Sequence, residues 1–405
     1  MAQSKILVGL EIGTTKTCMV VGEIRPDATA TIIGIGEAKS AGVRKGEITD
    51  PSMARQCVCD AWQLAQDHAD VDILNVFLSV TGEHIVGENS VGSYRLPDNE
   101  TIVTDNHAIT AKEKAEKLEL SSDRFCVNRE LGGFSIDGGE PTRHPVGLSG
   151  RTIDVNCHIM HGIKTRLQNS LLCVRQVPLE VEEIVFAPLA TAQMVLTRQQ
   201  KDSGALLIDI GGGTTDFICY KGGDVVAAGC IPMGGNNVNQ EIVRQTEQRV
   251  SFTAAEVLKR TEGNAFGDIK DHSLAQYKSE LGMHDVSIER GQLNRIIRNS
   301  LAAVLLQVRD RIPQEMLNTS MGIYLSGGTS FMRGLDGLCK YIFGGKPVYQ
   351  PTPLAPGQSH SYLADPRYCT AIGLIRYAQR FDDDALRPGR PGWLPRFMRM
   401  LGFGR

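Results

Sequence analysis

Residues Leu206 to Phe217 read LLIDIGGGTTDF, and this stretch decides the fold class of the chain. Three aliphatic residues, an Asp and an Ile predict a buried strand that runs directly into a turn without side chains. Glycine adopts backbone angles that are closed to other residues, so the N–H groups of Gly211, Gly212 and Gly213 can point into one concavity. Because such a concavity holds anions, the stretch predicts a phosphate site.

Polar side chains flank the predicted phosphate turn. Thr214 and Thr215 follow the glycines and supply hydroxyl donors. Asp209 lies at the preceding strand end, where its carboxylate is placed to hold a water or a Mg²⁺ ion, because this hard cation prefers oxygen ligands. A glycine-rich hairpin that binds no ligand is the alternative interpretation.

The composition limits the class of protein. The chain has 405 residues, of which 41% are hydrophobic and 22% are charged, and this is enough for two or more domains with cores. The net charge of −3 argues against nucleic acid as a partner, because proteins that coat nucleic acid are strongly basic. Ten cysteines without a CxxC pair predict reduced thiols in a cytosolic protein. The start, MAQSKILVGLEIG, predicts no signal peptide or transmembrane helix.

The phosphate turn occurs twice in the chain. Residues 6–22 read ILVGLEIGTTKTCMVVG, which predicts a strand, a tight turn and a second strand. When this segment is placed over the first stretch, Glu11 falls on Asp209 and Gly13 on Gly211, while Thr14 and Thr15 echo Thr214 and Thr215. The repeat predicts a duplicated domain core whose two hairpins grip one polyphosphate from opposite sides. Lys16 is either a phosphate contact or a solvated turn residue.

Helix-capping residues and changes in composition indicate the boundaries of the other predicted segments. Asp50 and Pro51 predict the start of a helix, and Thr110 with Glu113 has the spacing of a capping box. Residues 263–288 look irregular. The predicted bounds are 1–82 and 164–204 for the first lobe core, 83–163 for a small inserted subdomain, 205–235 and 320–366 for the second lobe core, 236–319 for a second-lobe subdomain, 367–380 for a closing helix, 381–392 for a linker and 393–405 for a terminal helix.

Several motifs carry a resemblance to known proteins. In chain order they include LEIGTTK, LIDIGGGTTD, MGGNNVNQEI, AEVLKR and YLSGGTSFMRGL, and together they resemble the actin, hexokinase and heat-shock chaperone superfamily. Three more, SAGVRKGEITD, HPVGLSGRTIDVNCHIMHG and FAPLATAQMVLT, make the chain similar to the FtsA family of actin-like bacterial cell-division proteins. The resemblance covers nearly all of residues 5–380. It implies an α/β, actin-like two-lobe fold with duplicated mixed-sheet cores, an inserted α+β subdomain, and ATP in the cleft between the lobes.

The resemblance also implies which residues bind ATP and Mg²⁺. Glu11 and Asp209 are implied to hold the metal, through water. The nucleotide residues are Gly13, Thr14, Thr15 and Lys16 in the first phosphate loop, Gly212, Gly213, Thr214 and Thr215 in the second, Gly234 and Gly235 below the ribose, Glu256 and Lys259 beside the nucleoside, and Gly327 and Gly328 in the adenosine loop.

Two departures from the family pattern affect the expected chemistry. The family commonly has Thr and Asp where this chain has Asn239 and Glu241. Related polymerising ATPases place a catalytic acid or amide where this chain has Phe186 and Ala187. Because an apolar side chain cannot orient the attacking water, we expect ATP to be bound more firmly than it is hydrolysed. The sequence therefore predicts at most a slow ATPase, with no catalytic residue assigned.

The C-terminal tail predicts a membrane contact. Residues 381–392 contain the acidic, Pro and Gly residues of a flexible linker, and 393–405 read WLPRFMRMLGFGR. This segment is too short to span a bilayer, but an amphipathic cationic helix can lie in the interface of anionic lipids. A helix that docks on its own core is the alternative. The predicted membrane-binding residues are Trp393, Leu394, Phe397, Met400 and Leu401 on the apolar stripe, with Arg396 and Arg399 opposite.

The resemblance and the tail together imply a protein that forms actin-like filaments on the cytoplasmic face of the inner membrane, at the division septum. The implied partners are the C-terminal peptide of the tubulin-like protein FtsZ, which forms the Z ring, further copies of this chain, and later division proteins. Residues 236–319 are implied to receive the peptide, where Arg290, Arg295 and Arg298 either meet its acidic residues or form a solvated helix face. An actin-like pilus-assembly scaffold and a small-molecule kinase are the competing classes.

Overall fold

The first lobe is built on a five-stranded mixed sheet. The computed structural model describes residues 5–27, 29–247, 249–277, 286–351 and 362–385, with side chains described to residue 380. The strands of this sheet are β1 (Lys5–Ile12), β2 (Lys16–Ile24), β3 (Ala30–Lys39), β6 (Asn75–Val80) and β10 (Glu180–Phe186), in the order β10-β6-β1-β2-β3. A two-residue ladder, β4 (Val43–Arg44) with β5 (Glu47–Ile48), follows β3.

The second lobe repeats this arrangement. Its strands are β11 (Ala205–Ile210), β12 (Thr215–Lys221), β13 (Asp224–Ile231), β16 (Gly322–Ser326) and β17 (Val348–Tyr349), in the order β17-β16-β11-β12-β13. In both lobes three antiparallel strands are followed by two parallel ones. The predicted duplication of a mixed-sheet core is therefore confirmed.

The inserted subdomain extends the sheet of the second lobe. It consists of β7 (Val86–Arg95), α2 (Asp105–Ala115), β8 (Arg124–Ile136) and β9 (Thr152–Ile163). Its strands continue the second sheet in the order β13-β7-β9-β8, joined by the single residue pair Gly229 and Val86. Alternate residues of β9 are buried beneath α2 in a separate core, as the alternating pattern of apolar residues requires: Ile153, Val155, Cys157 and Ile159.

Helices cover the sheets and fill the space between them. They are α1 (Pro51–Ala69), α3 (Lys164–Arg175), α4 (Ala187–Val195), α5 (Arg198–Ser203), α6 (Gly235–Gln245), α7 (Phe252–Thr261), α8 (Arg290–Arg311), α9 (Gln314–Leu317), α10 (Leu335–Ile342) and α11 (Cys369–Ala385). Asp50 caps α1 as predicted, since its carboxylate accepts the N–H groups of Ser52 and Met53. Helices α4 and α11 pack on each other, α4 against β11 and β12 and α11 against β1 and β6.

Two segments differ from the sequence predictions. Residues 263–288, expected to be irregular, include a short antiparallel pair formed by β14 (Leu274–Tyr277) and β15 (Val286–Glu289). Helix α11 continues to Ala385, into the segment predicted as a linker. The rest of that linker and the predicted membrane-binding residues 393–405 lie outside the described residues. No helix in the described part of the chain is long and apolar enough to cross a membrane.

Candidate functional site

The two predicted phosphate loops are tight turns with the same backbone hydrogen bond. In the β1–β2 turn the N–H of Gly13 donates to the carbonyl of Lys16 at 2.9 Å, and in the β11–β12 turn the N–H of Gly211 donates to the carbonyl of Thr214 at 2.9 Å. This equivalence agrees with the sequence alignment that places Gly13 on Gly211. Thr14 and Thr15 correspond to Gly212 and Gly213, and not to Thr214 and Thr215.

The loops face each other from opposite lobes and are in contact. A Cβ atom at Gly212 would lie 2.3 Å from Cγ2 of Thr15, and one at Gly213 would lie 2.5 Å from Oγ1 of Thr14. Neither glycine can therefore carry a side chain in this arrangement. The threonines of the first loop oppose the glycines of the second, so hydroxyl groups and bare backbone N–H groups line the same narrow space.

The sequence allowed Lys16 to be either a phosphate contact or a solvated turn residue, and the structure excludes the solvated turn residue. Its ammonium group lies 2.9 Å from the Glu11 carboxylate, and its side chain is only 15% exposed. The same ammonium lies 5.2 Å from the centre of the Tyr368 ring. Glu11 and other anionic neighbours outweigh the effect of burial and hold the pKa of Lys16 above its usual range. Lys16 is thus a fixed positive charge beside the first loop.

The strands leading into and out of the second loop bring two carboxylates together, the half-buried Asp209 and the buried Asp216. Asp209 and Asp216 are paired residues of the β11–β12 hairpin. Asp209 accepts a hydrogen bond from the Thr191 hydroxyl at 3.1 Å, and Asp216 accepts one from the Thr81 hydroxyl at 2.5 Å. Burial, together with the charges of Asp216 and Glu11, raises the pKa of Asp209 to about 8. Burial also raises the pKa of Asp216 to about 6.

These carboxylates fit a metal ion held through water better than one held directly. In the described residues no group of three or more His, Cys, Asp or Glu side chains is arranged to hold a metal ion. Glu11 and Asp209, the two predicted metal residues, are close enough for the charge of Glu11 to raise the pKa of Asp209. A cation beside them would favour their charged forms. Asp216 was missed from sequence, although it ends the phosphate stretch opposite Asp209.

The residues predicted for the nucleoside converge on the second loop. The N–H of Gly235 donates to the Gly211 carbonyl at 2.9 Å, directly after Gly234. The Lys259 ammonium donates to the Gly235 carbonyl at 3.1 Å and to the Glu256 carboxylate at 2.5 Å.

Asn239, where the family pattern differs, joins this cluster through a 2.6 Å hydrogen bond to Glu256. Its Oδ1 atom is buried and has no hydrogen-bond partner in the described part of the chain. Glu241, the other departure, bonds instead to Arg244 and Gln245.

The loop predicted to contact adenosine, at Gly327 and Gly328, lies beside the end of the strand that leads into the second phosphate loop. Gly327 has a φ of 83°, and a Cβ atom there would lie 2.3 Å from a carboxylate oxygen of Asp209. This position therefore requires glycine. The hydroxyl of Thr329, next to Gly328, donates to the Gly211 carbonyl at 3.1 Å. Gly234, Gly235 and Thr329 thus contact the second loop directly, and Lys259 reaches it through Gly235.

The position expected for a water-orienting side chain is apolar and buried. Phe186 is fully buried, and its N–H donates to the Asn128 side chain at 2.8 Å. Ala187 follows as the first residue of α4 and is also buried. Neither can orient water. Beside the predicted Glu11 and Asp209, the described residues place one further carboxylate at the second loop, that of Asp216.

The three arginines predicted for partner binding are used differently. Arg290 pairs with Glu262 and Asp271. Arg298 donates to the carbonyls of Ala265 and Gly267. Arg295 is exposed and makes no such contact with the described residues.

The duplicated lobes with paired hairpin loops define an actin-like fold. A solved chain titled "PilM-PilN type IV pilus biogenesis complex" superposes with a TM-score of 0.62 at 16% identity, covering 92% of this chain and 98% of that chain. MreB 5 of Spiroplasma citri bound to AMPPNP superposes with a TM-score of 0.53 at 16% identity, covering 96% and 100%. At these identities the likeness shows the fold alone.

Sequence comparison identifies the family. The family model "Cell division protein FtsA" matches residues 206–373, and "SHS2 domain inserted in FTSA" matches residues 82–161. Cell division protein FtsA of Neisseria meningitidis serogroup B is 31% identical over 398 residues, covering 95% of this chain and 93% of that protein. The Escherichia coli K12 protein of the same name is 31% identical over 386 residues, covering 93% and 90%. The chain belongs to the FtsA family of cell-division proteins.

Proposed function

We propose that this chain is an ATP-binding, actin-like adaptor that polymerises on the cytoplasmic face of the cell membrane and anchors FtsZ filaments at the division septum. The observation that carries the proposal is the pair of hairpin loops that face each other from two duplicated lobes. They are surrounded by threonine hydroxyls, glycine N–H groups, Lys16 and the carboxylates of Asp209 and Asp216. This donor set fits a polyphosphate with its Mg²⁺ ion.

The site favours binding of ATP over rapid hydrolysis. Phe186 and Ala187 cannot activate water, and Asp216 is the remaining carboxylate beside the second loop. Lys16 and the N–H and hydroxyl donors of the two loops would neutralise the negative charge of the ATP phosphates. The expected role of the nucleotide is therefore to set lobe closure and polymer state, with slow turnover.

Attachment to the membrane and to FtsZ rests on the remaining segments. Residues 393–405, with the sequence pattern of an amphipathic cationic helix, would attach the chain to anionic lipids, and one such segment would bind weakly. Polymerisation would present many of these helices together and strengthen attachment by multivalency. The region of α6 to α8 would receive the C-terminal peptide of FtsZ, with Arg295 as the available cation. The inserted subdomain would serve filament contacts and later division proteins.

Co-sedimentation with liposomes tests the proposal. The full chain, mixed with FtsZ polymers, Mg²⁺-ATP and vesicles containing anionic lipid, should carry FtsZ into the pellet. A chain that ends at residue 392 should leave both proteins in the supernatant while still binding ATP. Gly213→Ala, which places a Cβ atom against Thr14, should weaken the effect of ATP.

The same preparation separates the competing functions. Phosphoryl transfer to a panel of sugars would indicate a kinase, and the proposal would fail. Pelleting of FtsZ that is unchanged by removal of residues 393–405 would overturn the membrane role of the tail. The actin-like pilus scaffold has the same lobes, but membership of a cell-division family favours FtsZ as the partner.

A further inference from the structure

A short hairpin lies against the phosphate loops of both lobes. It is formed by β4 and β5, joined by Lys45 and Gly46. Both central residues have positive φ, 52° for Lys45 and 75° for Gly46. These signs are those of a two-residue type I′ turn, whose twist matches that of the flanking strands. The tip is therefore a defined structure.

The tip of this hairpin contacts three parts of the cleft. The N–H of Gly46 donates to the hydroxyl of Thr14 in the first loop at 3.1 Å. A Cβ atom at Gly46 would lie 2.7 Å from Cγ2 of Thr81 and 3.2 Å from Cγ2 of Thr214 in the second loop. Only glycine permits this approach without displacement. The hairpin thus touches the phosphate loops of both lobes at once.

The base of the hairpin is anchored on the first lobe. The N–H groups of Thr49 and Asp50 both donate to the carbonyl of Gly42, at 2.8 and 3.0 Å. Glu47 forms an ion pair with Arg166 of α3. The tip alone reaches the loop of the other lobe.

The hairpin and the nucleoside residues border different parts of the second loop. Gly234, Gly235 and Thr329 contact Gly211 and Gly212. The hairpin contacts Thr214. A nucleotide whose nucleoside lies near the first group would therefore direct its terminal phosphate toward the hairpin.

Lys45 is available for such a phosphate. Its side chain is exposed and forms no ion pair or hydrogen bond with the described residues. Lys16, by contrast, is already paired with Glu11. A free ammonium group on a defined turn beside both phosphate loops is suited to an anion that arrives with the ligand.

We propose that the β4–β5 hairpin senses the terminal phosphate of the bound nucleotide, with the ammonium group of Lys45 as its contact. This inference rests on the proposed nucleotide function and extends it. A triphosphate would hold the hairpin on both lobes, whereas a diphosphate would leave Lys45 without its partner. The hairpin is thereby a specificity element that distinguishes ATP from ADP and links this difference to lobe closure.

The test compares the affinities of full-length variants for fluorescent ATP and ADP analogues in the presence of Mg²⁺. Lys45→Asn removes the charge and retains the turn, because Asn-Gly is strongly favoured in type I′ turns. We expect this variant to bind the ATP analogue about tenfold more weakly, as for loss of one charged contact, and the ADP analogue less than about twofold more weakly. Lys45→Arg should keep most of the preference.

Arg25→Asn is the matched control, because Arg25 follows β2 at the end remote from the phosphate loops and is exposed. It should change neither affinity. Equal weakening for both nucleotides in Lys45→Asn, or none, would overturn the sensor while the proposed function stands. If the unaltered chain binds neither analogue, the proposed function fails and the sensor fails with it.

Discussion

Asp209 and Asp216 are paired residues of one hairpin, and Asp216 is buried whereas Asp209 is half-buried. Burial and the like charges of Asp216 and Glu11 disfavour the anion of Asp209, and burial with the charge of Glu11 disfavours that of Asp216. The pKa of each is accordingly raised, to about 8 for Asp209 and about 6 for Asp216. Ionised carboxylates of this kind are unfavourable for folding, and the proposed Mg²⁺ ion would offset that cost because a cation favours the charged form.

The substitution Asp216→Asn should make the nucleotide-free protein more stable. The pKa of Asp216 in the folded protein, about 6, is above its ordinary value of 3.8. The stability of the unaltered protein therefore falls as pH rises from about 4 to about 6, and the variant lacks this fall. At pH 7 we expect the variant to gain about 1–3 kcal/mol in free energy of unfolding, measured with denaturant. Its stabilisation by Mg²⁺-ATP should be smaller.

Asp224→Asn provides the control for this prediction. Asp224 is a partly exposed residue paired with Arg143, so its replacement should not stabilise the protein. An Asp216→Asn variant that is less stable than the unaltered protein at pH 7 would contradict the prediction.

The sequence predicted those parts of the candidate site that depend on glycine turns. Glycines followed by threonines after a buried strand predict a tight turn, and both turns lie at the predicted positions in the chain. Asp216 was missed because its role depends on the cross-strand register, which pairs it with Asp209.

Helix α11 depends on close backbone contacts with its neighbours. A Cβ atom at Gly373 would lie 2.0 Å from the carbonyl oxygen of Ala190 in α4, and one at Gly9 would lie 2.3 Å from that of Ala371. The helix therefore approaches both α4 and β1 at distances that only glycine allows. The packing of α11 on α4 and on β1 therefore requires glycine at both positions.

Gly373→Ala should weaken the packing between α11 and α4. The added methyl group overlaps a backbone carbonyl, which cannot move without shifting the helix. We expect a loss of about 1–3 kcal/mol in free energy of unfolding, although alanine favours helices more than glycine does. Chemical denaturation at neutral pH measures this change. Arg376→Ala, on the exposed side of the same helix, should cost far less, and equal losses for the two would refute the packing argument.

Element boundaries show where local signals suffice. Asp50 with Pro51 marks the start of α1 correctly. The Thr110 and Glu113 pair was a wrong capping box, because Thr110 lies within α2 and its hydroxyl donates to the carbonyl of Asn106. The helix starts instead after Thr104, whose N–H is accepted by the His107 ring, and His is not part of the usual signature.

The inserted subdomain is joined to the rest of the molecule by contacts between residues that are far apart in sequence. Asn128 of β8 accepts the N–H of Phe186 at 2.8 Å and donates to the Tyr377 hydroxyl at 3.2 Å. The sheet contributes one residue pair to the junction, Gly229 with Val86. Sequence patterns predicted that an insert exists, but the attachment of its strands to the second lobe depends on tertiary contacts that no local pattern records.

The junction of this subdomain should weaken in acid because it buries a neutral histidine. His158 is 2% exposed, its Nδ1 lies 2.7 Å from Oδ1 of Asn89, and a Cβ atom at Gly87 would lie 2.2 Å from its Nε2. Burial lowers the pKa of His158 from 6.5 to about 4. The unfolded chain therefore takes up a proton first as pH falls, and the contribution of this residue to stability, complete above about pH 6.5, is lost between about pH 6.5 and 4.

Between pH 7.5 and 5 we expect the unaltered protein to lose about 1–2 kcal/mol more in free energy of unfolding than His158→Gln, which cannot titrate there. Denaturant unfolding measures the two pH slopes, and hydrogen exchange should show β7 and β9 opening first. Equal slopes would show that acid acts elsewhere in the molecule.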